Sequence, residues 1–319
     1  MIDITLQNFE AELLAASTHT PVLLDIWAPW CGPCRTLGPL LEKLEADYAG
    51  RFILAKLNAD EVPEIASQLS AAFGVRSIPF CVMFVGGQPV DGFVGALPEA
   101  QIREFLSRHV PSEGEMEAAQ EVAEAEQLLE QGAADDALAR LVAALEADPK
   151  NETARFDLVK ALIEAGRLEQ AQEVFAPVAA LAADTITPHA RFAALAAWLQ
   201  ACTAAQAAPP AAQLEAAIAA NKRDFDARFL LAQTHFAAGR FTQAMDELLE
   251  IVMRDKAWND SLARKTIVAV LEVLTKPQPK AQAKAAGADS KLQLTGHAVA
   301  TPSDPVVDQY RRKLSMALF

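Results

Sequence analysis

Cys31 and Cys34 stand in the stretch DIWAPWCGPCR, separated only by Gly32 and Pro33. A thiol pair at this spacing can close a disulfide and reopen it, and so can carry two electrons. Metal binding is the competing reading of Cys-x-x-Cys. The chain, however, has neither a second such pair nor closely spaced histidines to complete a ligand set. If Cys31 ends a strand and opens a helix, the unpaired amides and positive dipole end there favour its thiolate. Thiols so placed fall from about 8.5 towards about 7. Cys31 is then the nucleophile that attacks a client disulfide. Cys34, one turn in and more buried, is the resolving thiol that displaces the reduced client from the mixed disulfide.

Resolution requires Cys34 to lose its proton. Asp25, in the middle of the apolar run PVLLDIWA, is the expected base, because a carboxylate buried there would titrate nearer neutrality. Lys56, in ILAKLNAD, is its expected partner on the adjacent strand. In SIPF, a cis bond between Ile78 and Pro79 would make a sharp turn presenting the backbone of Ile78 to a client peptide. Cys81, two residues further on, reads either as a core thiol or as a third redox thiol; Cys202 reads as core.

These residues need a scaffold of alternating strands and helices. The order over the first 111 residues is β-α-β-α-β-α-β-β-α, an α/β fold with a central mixed sheet flanked by helices. A helix is expected from Cys34 to Tyr48, broken or kinked at Pro39. Beyond Pro111 strand signals vanish. Gly132/Ala137, Gly166/Ala171 and Gly239/Ala244 repeat one glycine-alanine spacing, and the first two pairs lie 34 residues apart. A 34-residue period of helix pairs with a glycine turn is the tetratricopeptide pattern, so 112–275 is expected to be an all-α repeat array with a degenerate unit near 187–220. Residues 276–304 read as a flexible linker, rich in Pro, Ala and Lys. Residues 305–319 read as an amphipathic helix with Val307, Tyr310, Leu314 and Leu318 on one face.

The formal charge of −14 argues against nucleic acid and anionic membrane surfaces as partners. The charge is uneven, since 276–319 carries seven Lys/Arg against three Asp/Glu. The Ala-rich, uncharged stretch from Phe192 to Leu214 is too weakly apolar and too interrupted to span a membrane. The N-terminus has no signal-peptide pattern, so a cytoplasmic location is expected, where a dithiol is more often catalytic than structural.

The WCGPC box, Asp25, Lys56, the Ile78-Pro79 dipeptide and Gly95 resemble thioredoxin in order and spacing. That resemblance implies a reductase whose client groove includes Trp30, Gly32, Pro33, Ile78, Pro79 and Gly95. It also implies no cofactor beyond the Cys31–Cys34 pair, with recycling by thioredoxin reductase or glutathione. The fusion to repeats, RFILAKLNAD, GGQPVDGFVG and the closing QYRRKLSMALF together resemble the chaperedoxin (CnoX/YbbN) family. Membership implies a holdase for unfolding or oxidised clients that transfers them to GroEL and DnaK. The C-terminal helix would dock on GroEL through Tyr310, Arg311, Arg312, Leu314 and Leu318. A plain disulfide reductase whose repeats recruit one partner is the alternative. Cys31→Ser should abolish disulfide reduction in a turbidity assay; residual turnover would reverse the roles given to the two cysteines.

Overall fold

Runs of apolar residues make the inner strands of a five-stranded sheet in the order β1-β3-β2-β4-β5. The computed structural model describes residues 1–184, 186–275 and 304–318, which form two units, the first ending at Glu113. In the first unit, β1 (Ile2–Asp3), β3 (Ile53–Asn58) and β2 (Val22–Trp27) run parallel, while β4 (Phe80–Val85) and β5 (Gln88–Val94) are antiparallel. The expected strand-helix order is the observed one.

Alternation along the strands sorts side chains between two layers. Val22, Leu24 and Ile26 pack with Leu13, Ile65 and Leu69, beneath an N-terminal π-helical turn (Phe9–Ala15) and helix α2 (Pro63–Phe73). Leu23 packs with Leu37, Leu41 and Ile102, beneath α1 (Gly32–Asp47) and α3 (Glu99–Ser107). Asp25 shares the period of Leu23 and so lies on the α1 face. Helix α1 differs from expectation at both points noted above. It begins two residues earlier, because Gly32 and Pro33 occupy the first turn, where a missing N–H has no intrahelical role. It also continues through Pro39 as one helix.

The second unit is all-α: α4 (Glu113–Glu130), α5 (Ala134–Ala147), α6 (Glu152–Glu164), α7 (Leu168–Phe175), the short α8 (Ala179–Ala183), α9 (Ala190–Ala207), α10 (Ala211–Ala220), α11 (Phe225–Ala237), α12 (Phe241–Arg254), α13 (Trp258–Leu274) and α14 (Pro305–Leu318). Gly132, Gly166 and Gly239 sit in the turns of α4/α5, α6/α7 and α11/α12 with φ of 78°, 71° and 70°. That left-handed backbone is cheap only for glycine. Their partners Ala137, Ala171 and Ala244 are fully buried where helices approach closely. The degenerate unit is α9/α10, whose turn holds Pro209 and Pro210 in place of glycine. Among the described residues no helix is long and apolar enough to cross a membrane. Trp198, stacked on Phe236 with ring centroids 5.7 Å apart, belongs to the core of this unit.

The apolar face of α14, part of the expected docking surface, is covered within the chain. Val307, Tyr310 and Leu314 are buried in the array core, and Leu318 packs against it, because α12 and α13 offer an apolar face that α14 covers. The Tyr310 hydroxyl donates to Asp246 Oδ1 at 2.9 Å, and burial beside that carboxylate raises the phenol above its usual range. Lys313 Nζ reaches the same Oδ1 at 3.2 Å. Arg311 and Arg312 remain exposed, and Arg311 donates to Thr275 Oγ1. Of the expected linker, 276–303 lies outside the described residues. Tyr310→Ala should destabilise the helical unit by about 3 kcal/mol and accelerate proteolysis within 305–318. Unchanged cleavage would show that α14 is not held by this ring.

Candidate functional site

The end of β2, the start of α1 and the turn before β4 converge on the thiol pair. Cys31 has extended backbone angles and is the N-cap of α1, and its Sγ accepts a hydrogen bond from the Cys34 amide at 3.3 Å. Cys31 and Cys34 are joined as a disulfide with Cα atoms 5.4 Å apart. An amide aimed at the sulfur, at the positive end of a helix, stabilises negative charge on Cys31 once the bond is opened. The expected difference in burial is absent: the residues are 4% and 5% exposed. Depth therefore does not distinguish the two sulfurs, whereas the capping amide does.

Around the disulfide the surface is uneven. Trp30 is 70% exposed, and its indole Nε1 donates to Asp60 at 3.0 Å, which holds a large apolar ring out in solvent. Gly32 and Pro33 are exposed. Ile78 packs against the cysteines and Ala28, and the Ile78–Pro79 peptide is cis. The Gly95 amide donates to the Pro79 carbonyl at 2.8 Å, tying the end of β5 to that turn. Gly95 has φ of 85°, so the site's edge depends on a glycine there. The contacts thus link Ile78 to the disulfide and Gly95 to Pro79. Asp60 is an addition that sequence reading misses, since an exposed loop aspartate carries no signal without its partner.

Beneath the disulfide's end of the sheet lies Asp25, 1% exposed. Burial raises its carboxyl to about 6 from the usual 3.8, opposed by the charge of Lys56 and by a hydrogen bond from Cys81, and aided by Glu42. Lys56 is the register partner of Asp25 across β2 and β3, as expected. Its ammonium, however, bonds Glu42 Oε1 at 2.9 Å, so it serves Asp25 as a nearby charge shared with a second carboxylate. Glu42 was not foreseeable as a member of this group: on sequence it is one more polar helix residue. Cys81 is fully buried, which rules out the reading of it as a third redox thiol in contact with clients. Among the described residues no cluster of side chains is arranged to hold a metal ion.

The helical unit has its own polar concavity. A cavity of about 480 Å³ is lined by residues that include Leu129, Phe156, Asp157, Lys160, Glu164 and Arg191. The Arg191 guanidinium lies 3.7 Å from the Phe156 ring centroid and 3.6 Å from Asp157 Oδ1. Burial raises the Asp157 carboxyl to about 6 against the pull of Arg191. Neither residue stood out in the sequence, because their meeting depends on how α6 and α9 pack.

Comparison with known proteins separates a thioredoxin part from a repeat part. A thioredoxin family model matches residues 1–108, and two tetratricopeptide-repeat models match 128–199 and 204–286. Thioredoxin 2 of Chlorobaculum tepidum is 48% identical over 104 residues, which cover 33% of this chain and 90% of that protein. Thioredoxin 1 of a Nostoc species is 42% identical over 107 residues, 34% of this chain and 94% of its own. The thioredoxin of Haemophilus influenzae is 38% identical over 105 residues, 33% and 94% of the two chains.

The buried carboxylate has a pH signature. The folded protein holds the Asp25 proton up to about pH 6, whereas an ordinary aspartate gives it up near 3.8. Between those values the native state binds more protons, so stability falls as pH rises through the window. Asp25→Asn should remove that slope and stabilise the first unit at pH 7.5 by about 2 kcal/mol, while slowing resolution of mixed disulfides. Urea denaturation at pH 4.5 and 7.5 checks it: an equal pH dependence in both proteins would show that another group titrates.

Proposed function

Because this chain belongs to the thioredoxin family through its first domain and carries tetratricopeptide repeats behind it, we propose that it is a redox-active holdase for unfolding or oxidatively damaged proteins. Its chemistry is disulfide exchange of the thioredoxin type. The Cys31 thiolate attacks a client disulfide, one client sulfur leaves as a thiolate, and the client is held on Cys31. Asp25 accepts the Cys34 proton. The Cys34 thiolate then attacks Cys31 Sγ, closing the Cys31–Cys34 bond as the second client sulfur departs with its electron pair. Two electrons pass from the pair to the client, and thioredoxin reductase or glutathione returns the pair to the dithiol.

What carries this reading is the joining of an accessible edge, with Trp30, Gly32 and Pro33 exposed beside the disulfide, to a tetratricopeptide-repeat array, a scaffold suited to presenting a surface to protein partners. Tethering a client to the array raises its concentration at the dithiol without a new contact there. The architecture fits the chaperedoxins, and cytoplasmic action with transfer to GroEL and DnaK belongs to the same proposal. With Tyr310 and Leu314 buried, α14 offers GroEL its exposed face, including Arg311 and Arg312, unless the helix first detaches. A plain reductase whose repeats recruit one partner is the competing reading, and the defined cavity at Asp157 and Arg191 favours it.

Aggregation of a heat-unfolded, cysteine-free client separates the two. The proposal expects protection at equimolar protein, retained in Cys31→Ser; light scattering that rises as fast as in buffer would sink the holdase. In Cys34→Ser, clients should accumulate as covalent adducts of Cys31, many kinds for a holdase and one for a dedicated reductase, resolved by non-reducing electrophoresis. Charge reversal of Arg311 and Arg312 to Glu should weaken co-elution with GroEL and spare disulfide reduction.

A further inference from the structure

One thiol of the first unit has no part in the exchange described above. Cys81 is fully buried in β4, out of reach of a client disulfide. It pairs in register with Asp25 across β2 and β4, and opposed residues of an antiparallel pair hold their side chains together on one face. The Cys81 Sγ lies 3.7 Å from Asp25 Oδ1, within the range of a thiol hydrogen bond to oxygen. Burial and the neighbouring carboxylate raise that thiol well above its usual range, so it stays protonated, and a donor, while Asp25 titrates.

Three groups face the Asp25 carboxyl: Lys56 from β3, Glu42 from α1 and Cys81 from β4. Lys56 bonds Glu42, and the two charges act on Asp25 with opposite sign, that of Lys56 being the stronger. Among the described residues, the contact to the carboxylate itself comes from Cys81. A donor to the charged form favours that form and fixes its rotamer.

We propose that Cys81 is a positioning residue of the exchange: its S–H holds Asp25 as an oriented anion, ready to take the proton of Cys34. The proposal rests on the reading of Asp25 as the base. In the step concerned, the proton leaves Cys34 Sγ for Asp25, the Cys34–Cys31 bond forms, the Cys31–client bond breaks, and the electron pair departs on the client sulfur, which takes up a proton from solvent. Cys81 exchanges neither electrons nor its proton.

Cys81→Val removes the donor with a side chain suited to a buried strand, and Cys81→Ser retains one. Carboxyl NMR of Asp25 in the oxidised full chain should show its midpoint raised by roughly 0.5–1 pH unit in Cys81→Val and at or below the parent value in Cys81→Ser. The acid limb of turnover should move by the same amount, with a loss of roughly 1.2- to 1.8-fold at pH 7, and Cys81→Ser should restore it. An Asp25 midpoint unchanged in Cys81→Val overturns the proposal. A midpoint that moves while the acid limb stays in place removes Asp25 from the reaction, and locates the failure in the base rather than in the contact. An infrared measurement on the oxidised Cys202→Ala protein needs no change at Cys81. The remaining S–H stretch should shift as Asp25 titrates, and an identical band at pH 4.5 and 7.5 overturns the proposal even if the valine variant does not fold.

Discussion

Keeping a carboxylate away from water, in the strand that leads to the thiol pair, is the constraint around which the first domain is arranged. An isolated charge in such a place is costly, and an aspartate so buried tends to hold its proton. Here the strands on either side meet that cost unequally. β3 brings the Lys56 ammonium, already shared with Glu42, and β4 brings a weak but direct donor in Cys81. The result is a carboxyl near pH 6, able both to hold a proton and to lose one in neutral solution. A fully compensated site would leave Asp25 too acidic to accept a proton; an apolar one would leave it neutral.

The helix that presents Cys31 meets the complementary requirement. Its first turn begins with Gly32 and Pro33, which leaves the Cys34 amide free to point at the nucleophilic sulfur. The amide that caps Cys31 belongs to the first turn of α1, whereas the buried carboxyl of Asp25 lies inside the sheet. With both sulfurs nearly equally buried, this asymmetry of surroundings supports the proposed division between nucleophile and resolving thiol.

Much of this was legible in the residues because the chemistry is local. Cys31, Cys34 and Pro33 lie within one turn, Ile78–Pro79 is a dipeptide, and the buried strand around Asp25 announces itself by its neighbours. The repeats were legible for a similar reason: Gly132, Gly166 and Gly239 recur because a left-handed turn leaves few alternatives. What was not legible depends on register and packing between distant segments. Cys81 opposes Asp25 only through the antiparallel pairing of β2 with β4, and Glu42 joins them only because α1 lies over that face. The amphipathic pattern of 305–319 correctly states that a face must be covered, but a pattern cannot say by what. In this structure the covering surface is that of α12 and α13.

That last helix also settles how the repeat stack stops. A solenoid has no inherent terminus, since each helix pair leaves behind an apolar side shaped for the next. With Val307, Tyr310 and Leu314 seated on the final pair, the side that a further repeat would occupy is filled by a single helix whose outward surface is charged. The apolar side of α12 and α13, where a further repeat would stack, is thereby covered by a helix of the same chain.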